Sequence, residues 1–485
     1  MTPDHNDLWF LPLGGTGEIG MNLNLYGHDG QWLMVDCGVT FPKRGRIAAD
    51  GTVHHRGEPP VQMADPAFIA DRRDKLAGLI ITHAHEDHIG AVPYLWPLLQ
   101  CPVYTSRFTA EILRRKLAEF DLLHRVPIIE VDTGERRQIG TFNVQWLALT
   151  HSIPDPNALM IRTRIGNIFH SGDWKLDDNP LVGHGYTTST FTDLAEEGVA
   201  AMVCDSTNAT VQGHSVSEAA LHEGLRDLIA VAEGRVIVTC FGSNIARLHT
   251  LASIARETGR YMGLLGRSLV NMSGAAKATG LWPGSDKLIS PAHLGYLPRH
   301  EVLGVATGSQ GEPRTALRRL AQGSHPDFEL EAGDTVIFSA RAIPGNEEAI
   351  EALISQLRKL GVIVITAEDA GAPIHASGHP AQDELKAMYR WSLHGPGTNF
   401  ISSLGAVAVM GVGGSLLMES QAIQSLVWPR IARQLPRNRD ITGRFFGREQ
   451  IDTNTLQIGN QRDHLGLGQR NFLAAHRNRR LLPLS

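Results

Sequence analysis

The chain reads as an α/β protein with two structural units, and three observations predict this. The first is a short apolar run, Leu79-Ile80-Ile81, that empties into Thr82-His83-Ala84-His85-Glu86-Asp87-His88, a strand tip crowded with imidazoles and carboxylates. The second is that two later strand candidates also end in metal-capable residues, at Thr150-His151-Ser152 and Ser171-Gly172-Asp173. The third is a regular alternation of strands and helices between residues 199 and 366, which requires a parallel sheet covered on both faces.

Composition narrows the class. At 485 residues the chain has ample length to bury several cores. Its 45 basic and 50 acidic residues leave a formal net charge of −5, so no global field advertises a nucleic-acid partner. Cys37, Cys101, Cys204 and Cys240 are scattered, with no Cys-x-x-Cys pair, which predicts free thiols in a reducing, cytoplasmic setting. The polar start Met1-Thr2-Pro3-Asp4-His5-Asn6-Asp7 shows no secretory signal, and no window of 18 apolar residues predicts a membrane span.

Taken in order, Leu8 to Leu13 is a strand closed by the glycine-rich loop Gly14-Gly15-Thr16-Gly17-Glu18-Ile19-Gly20, which fits either a tight turn or phosphate contact. Leu23 to Tyr26 and Gln31 to Val35 flank His28-Asp29-Gly30 as a hairpin. That hairpin ends at Asp36, placed either to brace a metal ligand from behind or simply to form a turn. After the histidine cluster come a helix from Ile89 to Leu99, a strand from Cys101 to Thr105 and a helix from Thr109 to Phe120. Strands from Phe142 to Leu149, Leu159 to Ile165 and Ile168 to His170 follow.

Imidazole nitrogens and a carboxylate at this density suit a borderline cation such as Zn²⁺, and a strand end holds them rigidly. Histidines also cluster by chance on surfaces, but this cluster is internal and tied to a strand. His83, His85 and His151 supply three nitrogens for one ion, Asp87 and His88 begin a second site, and Asp173 can bridge. Two ions about 3.5–4 Å apart would clamp a hydroxide and polarise a phosphoryl or carbonyl centre.

In the second unit, Val199 to Val203 delivers Cys204-Asp205-Ser206-Thr207-Asn208, and Ser215-Val216-Ser217-Glu218 reads as a capping box opening a helix to about Ala232. Strand Arg235 to Cys240, helix Asn244 to Glu257, strand Tyr261 to Leu265 and helix Ser268 to Thr279 follow. Strand Thr335 to Ser339, helix Asn346 to Leu360 and strand Val362 to Thr366 complete the alternation. The small polar joints Phe241 to Asn244, Thr307 to Glu312 and Phe338 to Glu347 would present backbone N–H groups to an anionic polymer, or be plain turns. The segment His375-Ala376-Ser377-Gly378-His379 offers a close-packing glycine, a hydroxyl and two imidazoles for phosphate binding or proton movement.

The order His83-x-His85-x-Asp87-His88, His151, Gly172-Asp173, with Asp36-Cys37-Gly38 upstream, resembles the metallo-β-lactamase superfamily. Together with Leu13 to Gly20, Thr150 to Asp155, Asp205 to Asn208, Thr307 to Pro313, Ile343 to Glu347 and His375 to His379, it resembles the ribonuclease J family of β-CASP ribonucleases, over roughly Leu8 to Trp391. The resemblance implies a metallo-β-lactamase αβ/βα sandwich with an inserted β-CASP parallel α/β domain. It implies a lactamase domain over 1–214, a β-CASP domain over 215–370, and a phosphate loop and return over 371–391. It further implies two Zn²⁺ ions held by His83, His85, Asp87, His88, His151 and Asp173. Asp205 would be the proton donor, His379 a proton acceptor, and His375 to His379 the substrate-phosphate loop. The implied activity is RNA hydrolysis, as a 5′-to-3′ exonuclease preferring a 5′-monophosphate and as an endonuclease.

The resemblance stops after Trp391, where the family supplies a final histidine ligand from a Pro-Val-His-Gly-Glu-like strand end. His394-Gly395-Pro396-Gly397 follows the preceding helix too closely to take that place. Residues 392–485 form an atypical basic tail with 11 arginines, no lysine and 5 acidic residues, a net +6 that leaves −11 for the rest. The tail reads as an RNA-binding arm, as a segment with too little core to fold, or as the product of a shifted reading frame. A catalytically impaired RNA-binding relative is therefore the alternative to an active nuclease. RNA is the expected partner; a homo-oligomer is possible, although the family's C-terminal contacts are the part this tail does not resemble.

Overall fold

The computed structural model describes residues 2–41, 61–282, 288–343, 345–393 and 409–410. Two six-stranded sheets form its first unit. One runs in the order Leu8–Gly14, Leu23–His28, Gln31–Val35, Leu76–Ile80, Val103–Thr105, Ile128–Glu130. The hairpin at its start turns through Asp29 (φ 45°) and Gly30 (φ 76°), and two positive φ angles in succession explain the Asp-Gly pair there. The second sheet runs Val409–Met410, Ala201–Val203, Gly166–His170, Asn157–Thr163, Phe142–Ala148, Arg136–Ile139.

The sheets pack face to face. Tyr26, Leu33, Val35 and Ile80 from the first meet Phe142, Val144, Trp146, Leu159 and Ile161 from the second in one buried cluster. Outside the first sheet, helices Val92–Leu99 and Arg107–Ala118 bury Leu95, Leu99, Phe108 and Leu113. Outside the second, helices Thr188–Glu197 and Gln382–Leu393 contribute Phe191, Leu385 and Met388. These are the four layers of an αβ/βα sandwich, with both buried faces of each sheet explained by apolar side chains that would otherwise face water. Helix Gln382–Leu393 brings the chain back onto this sandwich after the second unit.

The second unit is a five-stranded, wholly parallel sheet in the order Tyr261–Leu265, Val302–Ala306, Val236–Thr239, Thr335–Phe338, Ile363–Ile365. Helices Ile245–Glu257 and Arg267–Ala278 cover one face, and Ala316–Ala321 and Glu347–Lys359 the other. Its second strand, Val302–Ala306, was not among the expected strands. Gly304 interrupts the apolar run there, yet a methyl at that position would lie 2.6 Å from Ile237 Cδ1, so neighbouring side chains fill the space.

One expected local signal is overturned. Ser215 to Glu218 does not cap a helix, because the helix begins only at Leu221. Ser215 instead donates to Glu384, through its backbone N at 2.7 Å and its Oγ at 2.8 Å. Glu218 accepts from Asn244 Nδ2 (2.9 Å) and from Arg247 Nε (3.0 Å) and Nη2 (3.1 Å). A buried ion pair with Arg247 has taken the carboxylate that a capping box would have used. Of the tail, Ser392 and Leu393, which end helix Gln382–Leu393, and Val409–Met410, paired parallel with Met202 and Val203, are described; His394 lies outside the described residues.

Candidate metal centre

The strand end at Ile80 turns through Ile81 to His85 into the short helix Glu86–Ile89, and backbone contacts fix that turn. Asn22 N and Nδ2 donate to Asp87 O at 3.0 and 3.1 Å, and Cys37 N donates to His88 O at 2.7 Å. A side chain at Gly38 would put its Cβ 1.6 Å from Asp87 O, so Asp36-Cys37-Gly38 can pack here only with glycine third. The start of the Gly14–Gly20 loop is likewise tightly packed. A Cβ at Gly14 would sit 2.3 Å from Met21 O, and one at Gly15 would meet Asn22 at 2.2 Å.

His83, His85, His151 and Asp173 converge, with one potential ligand atom of each lying within 4.8 Å of the others. His83 Nε2 and His151 Nε2 lie 3.1 and 3.0 Å from His85 Nδ1. A second group joins Asp87, His88 and Asp173, with His88 Nε2 3.3 Å from Asp173 Oδ2 and 3.6 Å from Asp87 Oδ2. Asp173 belongs to both groups.

Hydrogen bonding shows which nitrogens are bare. Gly378 O can only accept, so His151 Nδ1 carries the hydrogen it donates at 2.6 Å, and Nε2 is a lone pair. Thr82 Oγ1 commits its hydrogen to Asp36 (3.0–3.1 Å) and therefore accepts from His83 Nδ1 at 3.0 Å. His83 Nε2 is then bare as well. His88 Nδ1 donates to Asp36 Oδ2 at 2.7 Å, and its Nε2, 3.2 Å from Asn22 Nδ2, faces Asp87 and Asp173. Neutral rings cannot satisfy lone pairs that all face one point, whereas a cation can. The 3.0–3.1 Å spacings approach the roughly 3.3 Å edge of a tetrahedron with Zn–N bonds of ~2.05 Å. The donor set therefore fits a metal ion.

Electrostatics agree. Burial, reinforced by the neighbouring imidazoles, pushes His83 and His151 well below the usual histidine pKa, and burial takes His85 to about 3. All three are neutral ligands at neutral pH. The second group differs: burial opposes charge on His88 too, but Asp173, Asp36 and Asp87 together outweigh it and raise that pKa, so a cation bound there would take the place of the ring's second proton.

Beside the first group, His379 Nδ1 lies 2.7 Å from Asp205 Oδ2 and 3.9 Å from Asp173 Oδ2. Burial disfavours its charge, but Asp205, with Asp173 and Asp87 behind, lifts His379 to about 9. Asp205 and His379, assigned separate roles from sequence, thus form one hydrogen-bonded pair. Ser377 Oγ accepts from Asn208 Nδ2 (2.8 Å) and from His379 N (3.2 Å), while Ala376 is packed into the core at 2% exposure. Gly378 packs against His151, since a Cβ there would lie 2.7 Å from that ring. His375 is held to a pKa of about 4, by burial and then by Arg247, and its Nδ1 has no hydrogen-bond partner among the described residues.

The three polar joints are less open to phosphate than expected. Asn244 Oδ1 accepts from Arg247 N, Gln310 N donates to Glu312, Gln310 Oε1 accepts from Ile343 N, and Gly345 N donates to Glu347. Sequence reasoning also assigned no part to Asn22, Thr82 or Arg247. Only Thr82, adjoining His83, carried a positional signal.

Residues 20–195 match the family model described as metallo-beta-lactamase superfamily, and residues 233–357 match that of the ribonuclease J beta-CASP domain. Ribonuclease J of Sinorhizobium meliloti is 45% identical over 389 residues, covering 79% of this chain and 67% of that protein. Ribonuclease J of Mycolicibacterium smegmatis is 39% identical over 379 residues, covering 78% and 65%. The chain thus spans about two thirds of the length of these relatives. A crystal structure of a protein of unknown function from Enterococcus faecalis V583 shares the fold, with a TM-score of 0.52, 16% identity, and coverage of 79% of this chain and 91% of that one. Fold, sequence similarity and the order of the convergent side chains lead to one conclusion: the chain belongs to the ribonuclease J family of the metallo-β-lactamase superfamily.

Proposed function

We propose that this protein is a zinc-dependent ribonuclease that hydrolyses RNA phosphodiester bonds, removing nucleotides 5′ to 3′ from a monophosphorylated end and also cutting internally. The observation that carries the reading is the meeting of His83, His85, His151 and Asp173 from separate strand ends beside the Asp205–His379 pair. We assign His83, His85, His151 and Asp173 to one zinc ion and Asp87, His88 and Asp173 to the other. When bound, such ions supply an activated hydroxide and neutralise charge on the phosphoryl oxygens.

The chain's own residues do the rest. Thr82, Asp36 and Gly378 O hold the ligand rings in the tautomers that leave lone pairs inward. Ser377 and the neutral His375 offer donors for a substrate phosphate. Asp205 and His379 share a proton across 2.7 Å, and the pair returns it to the leaving 3′-oxygen. We place the lactamase unit at 1–214 and 371–391 and the β-CASP unit at 215–370. Among the described residues all four cysteines are free and buried, and no helix is long and apolar enough to cross a membrane. We place the protein in a reducing cytoplasmic setting, with RNA as its partner.

A second reading, an RNA-binding relative with impaired turnover, draws on one observation. The second group counts three donors among the described residues, one fewer than the first. Incubating the purified protein and zinc with 5′-monophosphate and 5′-triphosphate RNA, beside an Asp87→Ala/His88→Ala variant, separates the two. Zinc at two ions per chain with stepwise loss of the 5′-monophosphate substrate supports the nuclease. RNA retention without turnover, at one ion or none, replaces it by the second reading.

A further inference from the structure

The two units of the fold meet at the metal centre itself, through a side chain with no role so far. His85 differs from His83 and His151 in presenting Nδ1 inward, so its Nε2 points away from the other ligands. That outward nitrogen lies 2.9 Å from Ser243 Oγ. Ser243 belongs to the parallel-sheet unit, in the joint between strand Val236–Thr239 and helix Ile245–Glu257, 158 positions from His85.

The joint is fixed on every side. A Cβ on Gly242 would lie 2.7 Å from Ser268 Oγ, so the backbone sits tight against the start of the next helix. Asn244 accepts from Arg247 N through Oδ1 (2.9 Å) and donates to Glu218 through Nδ2 (2.9 Å). Arg247, with 0% exposure, reaches Glu218 and donates to Ser339 O at 2.7 Å and Ile374 O at 3.3 Å. Ser243 is thus a hydroxyl presented by a rigid element, not by a swinging loop.

We infer that Ser243 is a positioning residue for the metal centre: by accepting the Nε2 hydrogen that a neutral His85 carries when Nδ1 holds an ion, it orients the ring and stabilises its ligating form, and so makes metal affinity depend on the seating of the parallel-sheet unit. The other outward nitrogens show the contrast. Those of His83 and His88 are held by Thr82 and Asp36 of the sandwich itself. His85 alone takes its partner from within the parallel-sheet unit. Without that hydroxyl the ligating form of His85 loses its hydrogen bond at Nε2 and the ring loses the contact that aims Nδ1 at the other ligands.

The inference rests on the proposed metal site, and the experiment separates the two. The full chain and its Ser243→Ala and Ser243→Thr variants are loaded with Co²⁺, followed by visible absorption and by competition with a chelator of known affinity. Apo-protein melting establishes that each variant is folded. The expected result is a 10–100-fold loss of affinity for the tighter ion in Ser243→Ala, with altered ligand-field bands, and recovery of both in Ser243→Thr. Unchanged affinity and spectrum in a folded Ser243→Ala protein, or equal losses in both variants, overturns the inference while leaving the metal site standing. Absence of stoichiometric Co²⁺ binding by the parent chain overturns both.

Discussion

The carbonyl of Gly378 accepts the Nδ1 hydrogen of His151 at 2.6 Å, across 227 positions of sequence. A loop that follows the whole parallel-sheet unit therefore sets the tautomer of a ligand from the sandwich. Contact is so close that any side chain at 378 must push the His151 ring, lying 2.7 Å from the added Cβ. Gly378→Ala is expected to weaken metal retention by the first group about 10–100-fold, measured as zinc content after dialysis against a chelator. Gly371→Ala, where a Cβ meets nothing within 4 Å, is the control and should retain zinc as the parent does.

Asp36 braces two neighbours at once. Its Oδ1 accepts from Thr82 N at 2.8 Å and its Oδ2 from His88 Nδ1 at 2.7 Å. An asparagine tolerates the left-handed backbone there (φ 62°), so Asp36→Asn should fold. Thr82 supplies two donors, N and Oγ1, so the amide oxygen stays with Thr82 and the amide nitrogen faces His88 Nδ1, which loses the acceptor that holds the ring. The second ion is expected to weaken by about 10–100-fold while the first is kept, so zinc falls from two towards one per chain. Retention of both ions after the same dialysis would refute this.

The Asp205–His379 pair is separable from metal binding by its chemistry. Asp205→Asn preserves shape but cannot hold the proton that the carboxylate and His379 Nδ1 share across 2.7 Å. Zinc content should stay at the parent value, while single-turnover cleavage of 5′-monophosphate RNA slows about 10²–10⁴-fold, the usual weight of a positioned acid–base group. A rate within twofold of the parent would remove the pair from the chemistry.

What the sequence made legible was the chemistry carried by strand tips. His83 to His88, His151 and Asp173 could be grouped because metal ligands announce themselves by residue type and by position after an apolar run. The elements that hold them were harder to see. Ser243 read as one of several phosphate-friendly turns, and nothing local distinguishes a serine that meets a histidine 158 positions away. Glu218 matched a capping box, and only the fold reveals that Arg247 competes for its carboxylate and wins. Strand Val302–Ala306 was hidden by Gly304, whose missing side chain is supplied by Ile237 and Leu265 across the sheet. Patterns of period and spacing report local order; partners across a tertiary interface leave no such trace.

The Glu218–Arg247 pair joins the parts of the chain that flank the metal centre, and its behaviour in acid can be worked out. Burial alone would raise the Glu218 pKa, but Arg247, with Lys175 and Asn244, holds it below the usual glutamate value. Asp177, which binds Lys175 at 3.1 Å and accepts from Ser217 Oγ at 2.7 Å and Glu218 N at 3.1 Å, is lowered as well. A carboxylate with a depressed folded pKa contributes stability that is complete above its unfolded pKa and is lost as pH falls through the folded one. The contribution of these carboxylates to stability in urea should therefore be complete from neutrality down to about pH 5 and decline below about 4.5, the range in which unfolded glutamate and aspartate take up protons. The buried neutral histidines add their own loss from about pH 6.5 downward in parent and variants alike. Arg247→Met leaves Glu218 buried without its cation and should cost about 3–5 kcal/mol at pH 7. Adding Glu218→Gln removes the stranded charge and should recover part of that loss. The double variant should then show a shallower acid limb than the parent, and an equally steep limb would mean that other carboxylates set the acid sensitivity.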